Sequence, residues 1–517
     1  MKWLPQHLIY SKDFLALQQS DLHKILAPGK LALSLSLSDG SNMVCDEVVR
    51  VIPNKRLVCR GVWQQKVVYA KLFIDARAAQ YFARDLFGVT NLLAAKIATP
   101  ALLFQGQTQE NAYVLVFEAV EDSLNAEQVW QKSDEKARFN LAKKLVTEIA
   151  KHHNVGILQT DLYLKNFLVE GAKSKAECIY TLDGDGIRKF TRLSQRHALQ
   201  NLSVLLSKFD VLEVEVWLAG LLKTYAEIRG WETLPDAALI KEMTNAHRQK
   251  VASNYADKKV FRQCTDVKKY ATGLKHSRAS LRGLWILVCR AYENIDFSGN
   301  LDALLTEQNL LKSGNTCTVA LVEMSGKKIV IKRYNIKNFW HGISRAFRQT
   351  RAAVSWANAH RLNLLDIATA KPIALIETRK FGLKGKAYFL AEYIDAPDAA
   401  QFFAKTRDTS QGKEAVKNIV TLFYKLYLLQ ISHGDTKATN IKMVDNQPVL
   451  IDLDSMHQHR TYFSSSVAHL RDLNRFMQNW QNEPALYNAF VEAFKVVYPD
   501  ISILIKAGIF ANKEIID

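Results

Sequence analysis

One ordered set of polar residues occurs twice in this sequence, about half the chain apart. In the second half, the strand-like run Lys328-Ile-Val-Ile-Lys332 ends in a lysine, His433-Gly-Asp435 leads to Asn440, and Ile451-Asp452-Leu-Asp454 closes an apolar run. In the first half, Val67-Val-Tyr-Ala-Lys71, Asp161 to Asn166, and Leu182-Asp183-Gly-Asp185 keep the same order. Lysine to first aspartate is 90 residues in one copy and 103 in the other, and first to second aspartate is 22 and 17. The copies are offset by 261 to 274 residues. An interval that long marks a duplicated domain and not a solenoid repeat. A chain of 517 residues is also too long for one ordinary core and suits two domains.

The text around each copy agrees. Leu141, Ala142, Leu145, Val146 and Ile149 mark an amphipathic helix before Asp161, and Val416, Ile419, Val420, Phe423 and Tyr427 mark one before Asp435. After Asn440, Ile441–Val444, the turn pair Asp445-Asn446 and Val449–Asp452 predict a β-hairpin. Phe167–Val169 and Ile179–Leu182 predict the same hairpin with a longer loop. The boundary is set at 275/276, within the basic stretch Ala246–Arg282 with Arg248, Lys250, Lys258, Lys259, Arg262, Lys268, Lys269 and Lys275, which reads as a linker or as the last helices of the first domain.

Phosphoryl transfer asks a protein for charge neutralisation, a divalent ion and a base beside the attacking hydroxyl. Kinases supply them from a strand lysine, an Asp-x-x-x-x-Asn loop and an aspartate on the following hairpin. The expected second-half set is therefore Asp435 as base, Asn440 and Asp452 as metal ligands, Lys332 on the α/β-phosphates and Lys437 on the transferring phosphate. The first-half set is Asp161, Asn166, Asp183 and Lys71, with Tyr163 in the place of Lys437 and Gln159 in that of His433. Kinases pair the strand lysine with an acid on the next helix. Asp85, fourteen residues after Lys71, can serve, whereas no Glu lies between Lys332 and Glu377 and Asp366 falls late in its helix. The first half is either a second active site or a pseudokinase, and activity is assigned to the second. Each element alone is weak, since Asp-x-Asp after an apolar run is also a glycosyltransferase metal motif. The ordered set occurring twice favours an α+β chain of two tandem protein-kinase-like domains, each with a small β-rich N-lobe and a mainly helical C-lobe. A Gly-rich phosphate loop is not evident. Lys312-Ser-Gly-Asn-Thr316 is the one second-half approximation, and it reads equally as a plain turn.

The formal charge of +18 favours an anionic partner, be it nucleic acid, an acidic membrane or a phosphorylated substrate. His341, Arg345, Arg348 and Arg351 are spaced to share one helical face, either solvated or a docking strip for anionic groups. The six cysteines, with no Cys-x-x-Cys, argue against structural zinc and a disulfide framework. No apolar run is long enough to span a bilayer and the first residues lack a signal-peptide core, so a cytoplasmic location is expected.

These residues resemble the bacterial lipopolysaccharide core kinases, the heptose and Kdo kinases, a lineage of the protein-kinase fold. The similar text is Ile331-Lys-Arg-Tyr-Asn335, Arg351-Ala-Ala-Val-Ser-Trp356 with Asn358-Ala359, Ala387–Glu392, His433–Asn440, Leu450–Asp454, and Asp472-Leu-Asn-Arg-Phe476 with Trp480. The first half matches less sharply, through Arg50–Pro53 with Lys55-Arg56, Tyr69–Phe73 and Arg84-Asp85. The resemblance implies ATP, Mg²⁺ and transfer to a sugar hydroxyl of the lipopolysaccharide core, heptose or Kdo. It also implies a peripheral position at the inner face of the inner membrane, on an anionic surface and without nucleic acid. A kinase of a protein or another small molecule, and a non-catalytic scaffold, are the other readings.

Overall fold

The computed structural model describes residues 29–52, 56–74, 76–171, 178–273, 282–297, 299–314, 316–334, 349–380 and 383–509. Pro53, Lys55, Lys275, Asn315, Asn335, His341, Arg345 and Arg348 lie outside the described residues. The chain divides into two compact units, Met1–Thr244 and Asn245–Asp517, each an α+β body with a sheet part and a helical part.

In the first unit, β1 (Gly29–Ser36), β2 (Asn42–Ile52), β3 (Arg56–Trp63), β4 (Lys66–Phe73), β5 (Leu102–Gln107) and β6 (Tyr113–Glu118) form one sheet in the order β1-β2-β3-β4-β6-β5. Every neighbouring pair is antiparallel. Side chains alternate along a strand, so Val68, Ala70 and Leu72 of β4 enter the apolar cluster of Val48, Leu57, Val114 and Val116. Lys71 therefore projects on the other face, the one where Phe73 and Leu115 meet Val89 of α1 (Ala78–Ala94). The helical part packs α2 (Glu135–Asn154), α3 (Gln195–Leu206) and α4 (Val211–Arg229) through Leu145, Ile149, Leu202, Leu218 and Tyr225. A hairpin of β7 (Phe167–Glu170) and β8 (Cys178–Thr181) lies against Leu141-side residues of that core through Phe167, Val169 and Ile179.

The second unit repeats the plan with a wider sheet. Strands β9 (Val267–Gly273), β10 (Arg282–Cys289), β11 (Leu310–Ser313), β12 (Cys317–Met324), β13 (Lys327–Tyr334), β14 (Pro372–Lys380) and β15 (Leu383–Glu392) are ordered β9-β10-β14-β15-β13-β12-β11. Ile329 and Ile331 of β13 pack on one face with Ile286, Ile376 and Leu390. The opposite face, which carries Lys332, holds Tyr334, Leu375 and Ala387 against Trp356 of α5 (Arg351–Leu364). Below it, α6 (Ser410–Leu428), α7 (Tyr462–Gln478) and α8 (Pro484–Val497) join through tilted and edge-on rings of Phe423, Phe476, Phe490 and Phe494.

The expected second hairpin is present as β16 (Ile441–Val444) and β17 (Gln447–Leu450), and its two turn residues, Asp445 and Asn446, have φ of 49° and 62°. Two successive positive values define the turn whose twist matches the strands it joins. The division between units falls at 244/245, ahead of the 275/276 set from sequence. β9 explains the difference, because it pairs with β10 from Val267↔Cys289 to Gly273↔Gly283 and so places residues after 266 in the second sheet. Lys312–Gly314 enter the turn of the β11–β12 hairpin, closed by Gly314 N–H donating to the Cys317 carbonyl at 3.1 Å.

Candidate active site

In the second unit a buried carboxylate anchors the start of the segment from His433 to Asn440. Asp472 of α7 accepts hydrogen bonds from the backbone N–H of His433 at 2.6 Å and of Gly434 at 2.9 Å. Thr436 donates its hydroxyl to the Asp472 carbonyl at 2.6 Å. Burial pushes the Asp472 carboxyl above its ordinary range, and the two backbone donors together with nearby Arg475 oppose that. Gly434 sits at φ +79°, where a Cβ would stand 2.6 Å from the Ser455 carbonyl oxygen. Glycine is needed there by both conformation and space. His433 donates from Nε2 to the Ile451 carbonyl at 3.0 Å, so its Nδ1 is left as an acceptor facing the Asp435 N–H at 3.4 Å.

This scaffold presents Asp435 at the surface of the unit, a quarter exposed. Its Oδ1 lies 2.7 Å from Arg475 Nη2, close but off-line for a hydrogen bond, so the contact is ionic. Oδ2 faces Lys437 Nζ at 3.6 Å and accepts from Asn440 Nδ2 at 3.1 Å. The same Nδ2 donates to the Asp435 carbonyl at 2.9 Å, which turns the Asn440 side-chain oxygen away from Asp435. Asn440 is joined to the aspartate strand by the Ile451 N–H, which donates to its backbone carbonyl at 3.0 Å.

Lys332 meets that strand from the sheet. Its ammonium pairs with Asp452 Oδ1 and with Asp454 Oδ2, the latter at 2.9 Å. Arg351, the first residue of α5, also reaches Asp454 Oδ2 at 2.9 Å with its side chain still 37% exposed, so it is an ion-pair residue at the surface. Burial alone would raise Asp454, but the two cations hold its carboxyl at about 2. Burial works against the Lys332 charge, and Tyr334 and the two aspartates outweigh it, so the ammonium stays above the lysine range. Asp452 occupies the left-handed region at φ 60°, a strained setting for a non-glycine residue that aims its carboxylate out of the strand line. The missing helix acid is explained by this arrangement. Glu377 is buried and accepts from the Thr350 hydroxyl at 2.8 Å, while Lys332 takes its counter-charges from the aspartate turn.

The first unit repeats the frame with altered charges. Asn166 Nδ2 donates to the Asp161 carbonyl at 2.8 Å, and Leu182 N–H donates to the Asn166 carbonyl at 2.8 Å. Gln159 Nε2 donates to the Leu182 carbonyl at 3.1 Å, the contact His433 makes in the other unit. Lys208 lies over the Tyr163 ring at 4.4 Å, and the Asp161 charge partly offsets the lowering of its pKa by burial. Lys71 pairs with Asp85 at 3.1 Å, as expected, and Arg84 pairs with Asp185 as Arg351 does with Asp454. Those two matching contacts align Arg84 with Arg351 and put Ala352 where Asp85 stands. Gly88 and Gly184 let α1 touch the aspartate turn, since a Cβ on Gly88 would stand 2.0 Å from the Gly184 carbonyl oxygen. In the second unit Asn358 grips the turn instead, donating to the carbonyls of Leu453 and Met456 at 2.9 Å each.

Asp183, like Asp452, is left-handed, at φ 66°. Here, however, Arg56 of β3 clamps it, Nη1 to Oδ1 at 2.9 Å and Nη2 to Oδ2 at 2.7 Å, with Nη1 also 3.1 Å from Asp85. Burial would raise the Asp183 carboxyl, yet Lys71 and Arg56 hold it well below the carboxylate range. Arg56, Asp454, Asp472 and Arg475 carry much of these two sites, and sequence reasoning assigned them no role. All four did stand inside segments singled out for their resemblance.

A sequence family described as "Lipopolysaccharide kinase (Kdo/WaaP) family" matches residues 53–225 and 302–498, well over half of the chain and one region in each unit. No curated protein matches. Among solved structures, that of vaccinia related kinase 3 aligns over 46% of this chain and 95% of its own, at 12% identity and a TM-score of 0.27.

Proposed function

The chain belongs to the lipopolysaccharide kinase (Kdo/WaaP) family, and from that premise we propose that its second unit transfers the γ-phosphate of ATP to a heptose or Kdo hydroxyl of the lipopolysaccharide core. The observation that carries this reading is the convergence of Lys332, Asp452 and Asp454 on one turn, with Asn440 tied to the same strand by the Ile451 N–H. Asp435 is the base. It is exposed enough to meet an acceptor hydroxyl, and Asn440 and Arg475 fix its carboxylate. Lys437, two residues on, brings a positive charge beside it that favours the anionic phosphoryl group in transit.

The residues fit a magnesium ion. Asn440 and Asp452 offer hard oxygen donors, Asp452 is 31% exposed, and Lys332 contacts its Oδ1. Magnesium is commonly held by one or two carboxylates with substrate phosphates completing its shell. Such an ion would neutralise phosphate charge and orient the donor. Lys332 binds the α/β-phosphates in exchange for its carboxylate partners, and Asp454, with Arg351 still on it, keeps the turn in place.

The acceptor is reached at a membrane surface. No helix among the described residues is long and apolar enough to cross a membrane, and the charge of +18 suits an anionic one. The test is transfer of label from γ-labelled ATP to purified core glycolipid. Asp435→Ala is expected to reduce it by at least ~10²-fold, the usual scale for a positioned base. Mass spectrometry of core sugar from a deletion strain should show one phosphate fewer and identify the sugar. Labelling of peptides with the glycolipid untouched would refute the acceptor, and full transfer by Asp435→Ala would refute the site.

A further inference from the structure

Strand register aligns the two units residue by residue. Val58 pairs with Lys71 and Val319 with Lys332, and two residues along, Arg56 pairs with Phe73 and Cys317 with Tyr334. Arg56 and Cys317 are thus equivalent positions, each opening the strand that pairs with the lysine-bearing strand. The second unit has a small, uncharged side chain where the first has a guanidinium.

What that guanidinium does is set by distance and burial. It meets both oxygens of Asp183 and one of Asp85, with its own side chain 5% exposed and those of Asp183 and Asp85 at 9% and 0%. A planar fork on a carboxylate is the strongest paired geometry available to these side chains. Lys71 adds a second cation, 3.1 Å from Asp85 and 3.6 Å from Asp183. Were Lys71 to turn toward a phosphate, Asp183 would still be saturated. In the second unit, the same movement by Lys332 releases Asp452. The residues of the first unit therefore do not fit a divalent ion at Asp183. An ion entering there would have to expel a buried guanidinium and leave it unpaired, at the cost that goes with an uncompensated buried charge.

We propose that Arg56 is the resident cation of the first unit's kinase-like site, standing where the second unit takes a metal, so that the first unit is not a metal-dependent phosphotransferase. Its Asp161 loop and aspartate turn are kept as a folded frame by the clamp, and metal-dependent chemistry is confined to the second unit. The consequence for Asp183 and Asn166 is that they hold the frame and bind no ion.

The experiment counts Mn²⁺ bound per full-length chain by electron paramagnetic resonance, with a non-hydrolysable ATP analogue present. Arg56→Cys, which copies the second unit, is expected to bind one more Mn²⁺ per chain than the wild type. An unchanged count in a variant whose circular dichroism matches the wild type would overturn the proposal. Should Arg56→Cys not fold, Asp183→Asn decides. Its count is expected to equal the wild type's, and loss of one ion would overturn the proposal. The wild-type count bears separately on the second unit. A value of zero tells against the function proposed for that unit, while the increment in Arg56→Cys still judges Arg56.

Discussion

Asp472 shows how a side chain on a distant helix can fix the start of the His433–Asn440 segment. It accepts from two consecutive backbone N–H groups and is itself buried. Removing it leaves the buried His433 N–H unpaired, at about 1–3 kcal/mol, and takes the charged partner from the more exposed Gly434 N–H. Asp472→Ala is expected to destabilise the second unit by about 1–3 kcal/mol on that basis and to lower transfer along with stability. Asp472→Asn, which keeps one acceptor, should fall between. Urea denaturation with parallel activity assays checks this, and a stability change under about 1 kcal/mol would remove Asp472 from this role. Asp435 and Asn440, the proposed base and its asparagine, could be singled out in sequence because their spacing is local. Asp472 was legible only as part of a resembling segment, because its partners lie 38 and 39 residues upstream and no periodicity links them.

At the scale of elements, the sheet and helices follow from alternation and amphipathic spacing. The two helices expected before the aspartate loops span Glu135–Asn154 and Ser410–Leu428, with Leu145, Ile149, Ile419 and Phe423 buried as their spacing implied. The junction at α5 depends on a single residue. Thr350 caps the Ala353 N–H at 3.0 Å and donates to buried Glu377 at 2.8 Å. Thr350→Ala is expected to cost about 1–2 kcal/mol, the range for a lost N-cap, and to loosen Arg351 on Asp454 in the next position. A melt within experimental error of the wild type would contradict that. Gly434→Ala should cost more, because the left-handed backbone and the Ser455 carbonyl both oppose a Cβ. Thermal unfolding of the two variants side by side gives the order.

Across the whole molecule, acid sensitivity follows from buried histidines in both units. Burial holds His152 and His360 at about 4, and His153 and His469 at about 3. Each is neutral when folded and takes a proton near pH 6.5 when unfolded. The unfolded chain therefore binds more protons, and stability present above pH 6.5 is lost as pH falls toward 4. Denaturant midpoints are expected to drop between pH 7 and pH 4.5 in both units, and a flat profile would show these rings to be solvated. What the sequence determined by itself was the duplication, the fold class, the helices and hairpins, and the ordered polar set, because each is written in local spacing or repeated order. Only the tertiary structure decided which charges neutralise which. Lys332 pairs with the turn and not with a helix acid, Arg351 pairs with Asp454, and Arg56 reaches Asp183 from 127 residues away. Such pairings are set where strands and helices converge in a buried, weakly screened space, and the order of residues along a chain does not contain those distances.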